Sequence, residues 1–119
     1  MNRHELEERL IDFAVSIIEI SANLIKSKAG NHLSGQIVRS GTSPALNYGE
    51  AQSGESRKDF VHKMQIVLKE LRETLVCLKI IEKANLHKDL NKIQYAKKEC
   101  NELISIFVKS INTSLNKKF

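Results

Sequence analysis

Four histidines, two cysteines and several acidic residues are the parts of this chain that could hold a metal or move a proton. Their spacing speaks against both. His4, His32, His62 and His87 never pair as HxxxH and never stand beside a cysteine at zinc-site spacing, so each is expected at the surface. Glu7, Glu8, Asp12 and Glu19 share one segment, but a di-iron bundle needs Glu-x-x-His on two helices, and that tetrapeptide does not occur. Glu99 and Glu102, three apart, are expected to face solvent, and no clustered set of inward acids offers a nuclease its Mg²⁺. Neither GxGxxG nor a P-loop lysine motif is present. The sequence therefore predicts no catalytic residue, no metal ligand and no cofactor.

Two constellations remain. In "RSGTSPALNYGEAQS", residues 39–53, the side chains Arg39, Ser43, Asn47 and Glu50 recur at helical steps and share one face if the segment is helical. The stripe can be an interhelical network, with Arg39 paired to Glu50 or to a carboxylate of another helix, or a site for a ligand or phosphate. The network is the expected role, because a half-satisfied polar stripe is costly inside a bundle. Further on, Lys58, His62, Gln65, Lys69, Arg72, Val76, Lys79 and Lys83 alternate at steps of four and three, so they stack along one side of a helix. Lys58, Lys69, Arg72, Lys79 and Lys83 can track a phosphate backbone. The plainer alternative is a solvated face with intrahelical pairs such as Lys69–Glu73. Aromatics are nearly absent from this face, which favours structured RNA or DNA held by its backbone over base stacking on a single strand.

These residues need helices to position them, and the composition supplies helices. The 119 residues are 41% hydrophobic, 5% aromatic and 28% charged, with a net charge of +5. That is one domain with a core of Leu, Ile, Val and Ala and a surface suited to polyanions. Apolar periodicity and end signals predict helices over about 4–28, 32–53, 57–84 and 87–115, with no strand. Leu6, Leu10, Phe13, Ile17, Ile20 and Leu24 form the first seam. Phe60, Met64, Val67, Leu71, Thr74, Leu78 and Ile81 form the third, and Ile93, Ala96, Cys100, Leu103, Ile104, Phe107 and Ile111 the fourth. Gly30 and Gly54 are expected just past helix ends, Asn31 and Ser56 as N-caps, and the tail "SLNKKF" as a frayed end.

A structureless loop of about 15 residues is out of place in a compact all-α domain, so residues 39–53 belong to the second helix. Pro44 should bend that helix by removing the hydrogen bond to the Ser40 carbonyl. Short joints make the whole an antiparallel, up-and-down four-helix bundle. The joint near residue 86 sets Cys77 across from residue ~95, so a rise of ~1.5 Å per residue keeps Cys100 out of disulfide range. Both cysteines read as core fillers. The first helix carries a second stripe, Ile11, Ala14, Val15, Ile18, Ala22 and Ile25, which predicts self-association. The start "MNRHELEERL" has no apolar h-region, and no uncharged run nears the ~18 residues of a membrane span, so a cytoplasmic setting is expected.

The run from Arg39 to Ile81, with "RSGTS…N…EA", then "ESRKDF", then "K…I.LKE..ET", resembles the bacterial four helix bundle protein family, the proteins encoded by intervening sequences in 23S ribosomal RNA genes. Helices one and four match that family in length and periodicity only. The resemblance implies a bundle that assembles as a ring-like homopentamer. It also implies kinship with the accessory variability determinant of diversity-generating retroelements, a basic pentamer that binds nucleic acid and a reverse transcriptase. Where family members carry aromatics, this chain reads "ETLVCLKII". Together these readings predict a non-enzymatic, oligomeric bundle that binds RNA or DNA through Lys58, Lys69, Arg72, Lys79 and Lys83. The alternative is an adaptor for a protein such as a reverse transcriptase, without direct nucleic-acid contact.

Overall fold

The computed structural model describes residues 1–53 and 56–116. Four helices follow one another, α1 (Arg3–Ala22), α2 (Lys28–Ala51), α3 (Arg57–Lys83) and α4 (Leu90–Asn116), and no strand occurs among the described residues. Each helix packs on the next in sequence, and α4 closes back on α1. The result is an up-and-down four-helix bundle measuring 51 × 21 × 20 Å.

The seams read from periodicity are the core. Leu6, Leu10, Phe13, Ile17 and Ile20 of α1 are buried, as is Leu24 just past its end. So are Met64, Val67, Leu71, Thr74, Leu78 and Ile81 of α3, while Phe60 is partly buried. On α4, Ile93, Ala96, Cys100, Leu103, Phe107 and Ile111 face inward and Ile104 is half-buried. Burying one such Leu, Ile or Phe side chain contributes about 1.5–3 kcal/mol.

The unusual second helix also forms as expected. α2 runs unbroken through Pro44. Gly30, Ile37, Pro44 and Ala51, one every seven residues, lie on its buried face with Ser40, Gly41 and Tyr48. Small residues bring the neighbours close: a Cβ on Gly41 would lie 2.6 Å from Ile17 Cγ2. Tyr48 spans the core to meet Phe107 edge-on, ring centroids 5.7 Å apart.

The helix ends differ from expectation. α1 stops at Ala22 rather than near residue 28. There the Asn23 side chain bonds back to the Glu19 carbonyl at 2.9 Å. Ser27, not Asn31, caps α2, with its Oγ accepting from the Gly30 N–H at 3.0 Å. Gly30 is therefore no helix terminator but part of the first turn of α2, where a Cβ would strike the Ile25 carbonyl oxygen at 1.9 Å. Ser56 caps α3 through the Asp59 N–H, and Asn85, with φ 55°, turns the chain after it. α4 starts at Leu90 instead of 87, because the Asp89 carboxylate accepts from the Asn91 and Lys92 N–H groups at 3.1 and 3.3 Å. α4 runs on to Asn116, through part of the tail expected to fray. Gly54 and residues 117–119 lie outside the described residues.

Candidate nucleic-acid interface

α3 touches α2 on one side and α4 on the other, which leaves its outer side to solvent. Lys58, His62, Gln65, Lys69, Arg72, Val76, Lys79 and Lys83 are all exposed there, in one file. From Lys58 to Lys83 the file runs roughly 38 Å at 1.5 Å per residue.

Apart from exposed Asp59 in the first turn, the acids of α3 decide its electrostatics. Glu70 and Glu73 both pair with Arg39 of α2, Glu70 at 3.1 Å. Glu82 pairs with Lys97 of α4 at 2.7 Å and also accepts from Gln94. The bond from Lys97 holds the Glu82 carboxyl below its ordinary range. Each of these acids thus turns toward a neighbouring helix. The intrahelical Lys69–Glu73 pair does not form, since Glu73 serves Arg39. Lys58, Lys69, Arg72, Lys79 and Lys83 make no ion pair with any described residue. A solvated face patterned with its own acids would be locally neutral; this one keeps its positive charge.

The polar stripe of α2 is an anchor. Arg39 reaches Glu70 and Glu73, the second of the pairings open to it in the sequence. The bond to Glu73 and then the charge of Glu70 favour the charged guanidinium. Asn47 Nδ2 donates to the Ser43 carbonyl at 3.0 Å and to its Oγ at 2.9 Å. Glu50 accepts from Lys63 Nζ. Next to Arg39, buried Ser40 accepts from Thr74, Oγ1 to Oγ at 2.9 Å, linking α2 to α3 inside the core. These contacts leave Arg39, Ser43, Asn47 and Glu50 engaged within the fold and set the rotation of α3 about its own axis.

Other residues escaped the sequence reading. Arg9 forms a fork on Glu99, both bonds 2.7 Å, and reaches Glu102 at 3.0 Å, so both acids clasp α1 to α4; Glu99 is drawn out of solvent, while Glu102 stays exposed as expected. His87 is buried, against the surface position expected of it. His4, His32 and His62 are exposed. Cys77 and Cys100 are free and buried, and Cys100 Sγ donates to the Leu71 carbonyl at 3.1 Å, the register that separates it from Cys77. Ile11, Val15 and Ile18 of α1 and Ile25 of the loop after it stay 39%, 49%, 47% and 42% exposed, whereas Ala14 of the same stripe is buried. Among the described residues no helix is long and apolar enough to cross a membrane.

Fold and surface together define a four-helix bundle with a long cationic face whose lysines and arginine form no ion pair with a described residue. Residues 3–109 match the family model of the 23S rRNA-intervening sequence protein, and the chain belongs to that family. It is also similar to a crystal structure of a protein of unknown function from the S23 ribosomal protein family of Bacteroides thetaiotaomicron. The two share 28% identity, with a TM-score of 0.84, over 94% of this chain and 99% of that one. Comparison with curated proteins gives no match.

Proposed function

We propose that this protein is a non-enzymatic, cytoplasmic, oligomeric bundle that holds structured RNA or DNA by the phosphate backbone. The observation that carries this reading is the α3 face: Lys58, Lys69, Arg72, Lys79 and Lys83 are exposed and make no ion pair with a described residue, while Glu70, Glu73 and Glu82 are bound to other helices. Cations held on a straight rod of roughly 38 Å meet successive phosphates and release condensed counterions. The absence of stacking aromatics in the file gives a grip without sequence reading. The family's tie to ribosomal RNA genes agrees with such a partner.

Oligomer formation is part of the proposal, with the homopentamer as the expected state. The exposed Ile11, Val15 and Ile18 of α1, with Ile25 just past its end, supply an apolar strip that a neighbouring copy can cover. The same strip favours a second reading, an adaptor that docks a protein such as a reverse transcriptase. Charge reversal at Lys69 and Arg72 separates the two. It abolishes nucleic-acid binding under the first reading and spares an apolar protein contact under the second. Fluorescence anisotropy of a labelled duplex at ~50 mM salt tests the first directly, and no detectable binding there overturns it.

A further inference from the structure

The two loops at one end of the bundle border an open cavity of about 600 Å³, between the carboxyl end of α1 and the amino end of α4. A backbone bond from the Ile25 N–H to the Leu86 carbonyl, 2.8 Å, ties those loops together. The lining includes Lys26, Lys88 and Lys92, all exposed, and none is in an ion pair with a described residue. Asp89 is the one acid in the lining, and its carboxylate already accepts from two N–H groups of α4.

His87 completes the lining and is only 7% exposed. Its Nδ1 accepts from the Asp89 N–H at 3.0 Å, which places the ring proton on Nε2. Nε2 is buried and finds no acceptor among the described residues. Native proteins rarely leave a buried donor without a partner. Three unpaired cations beside such a donor lack one thing, an anion rich in acceptor oxygens.

We propose that this end cavity is a site for a phosphate monoester. Lys26, Lys88 and Lys92 neutralise the dianion, and the His87 Nε2–H donates to one of its oxygens. Nε2 is shielded from bulk water, so binding includes a local opening that brings it to the cavity. Lys83, the last cation of the α3 file, precedes His87 by four residues and lies at this same end of the bundle. A strand lying along α3 therefore brings its terminal phosphate here. That choice of source rests on the α3 reading; the cavity itself does not. A free phosphorylated metabolite offers the same chemistry.

The test uses the full chain and two probes. Inorganic phosphate is titrated while the amide resonances of residues 25, 26 and 86–92 and the His87 ring are followed by NMR. A duplex with 5′-phosphates is then compared with the same duplex bearing 5′-hydroxyls. The proposal expects saturable shifts confined to those residues, an affinity about tenfold lower in K88A/K92A, and a similar loss in His87→Phe. It expects the phosphorylated duplex to bind about fivefold tighter. No saturable shift in wild-type protein overturns the site, as does unchanged phosphate affinity in K88A/K92A, whose exposed positions do not threaten folding. Saturation by phosphate with equal binding of both duplexes supports the site and refutes the strand end as its source. Saturation by phosphate with no duplex binding at all refutes the α3 reading and leaves the cavity assignment standing.

Discussion

Gly41 offers the sharpest test of how the bundle is assembled. In a Gly41→Ala variant the new Cβ would lie 2.6 Å from Ile17 Cγ2 and 3.0 Å from Ile17 Cβ and Cγ1. Ile17 is fully buried, so it can yield only by pushing on the rest of the core. Overpacking of this kind costs about 1–3 kcal/mol. Replacing glycine by alanine inside a helix returns up to about 1 kcal/mol, which obscures the clash in a single variant. Gly35 and Gly49 remove that ambiguity, since both are exposed on α2 and a Cβ at either meets nothing within 4 Å. Gly35→Ala therefore gains helix propensity alone. The clash is the difference between the two variants, about 1–3 kcal/mol, or about 4–12 °C in melting temperature for a domain of this size. Thermal unfolding followed by circular dichroism at equal protein concentration reads it. Should Gly41→Ala melt at or above Gly35→Ala, the close α1–α2 approach described here is wrong.

Three further outcomes follow from particular contacts. The Arg9 hydrogen bond holds the Glu99 carboxyl below its ordinary value of 4.5, so its contribution is present above that value and lost as pH falls through the folded value; acid unfolding of Arg9→Met should lack this component of the pH dependence. Burial pushes the Cys100 thiol up to about 12, so iodoacetamide at pH 8 should leave it unmodified in the folded protein and react only on unfolding; prompt labelling of native Cys100 would contradict its position. Ile18→Glu places a charge in the apolar strip of α1 and should lower the solution mass toward the 13.5 kDa protomer, while wild type runs near five times that value in light scattering.

Much of this architecture was written in periodicity. The inward residues of α1, α3 and α4 recur every three or four positions, and a seam of that kind has one way to bury itself. Pro44 and the small residues of α2 were readable because a loop had no room there. Helix ends were less legible. Ile25 continues the apolar rhythm of α1, which hid the stop at Ala22 and the cap at Ser27; what ends the helix is local bonding by Asn23 and the tie from Ile25 to Leu86. At the candidate site, the exposure of the lysine file followed from its opposition to the seam. Its lack of neutralising partners did not, because that depends on where Glu70, Glu73 and Glu82 find cations on other helices. Arg9 with Glu99 and Glu102, and the burial of His87, are likewise products of tertiary register that no one-dimensional spacing announces.

The salt dependence of duplex binding, measured for wild type and for K69A/R72A, addresses the central claim most directly. Five phosphate contacts predict a slope of log K against log salt of about −4 to −5, reduced by about 2 in the double variant. Binding that ignores salt, or a slope unchanged by removing Lys69 and Arg72, would contradict the cationic face of α3 as the place where nucleic acid is held.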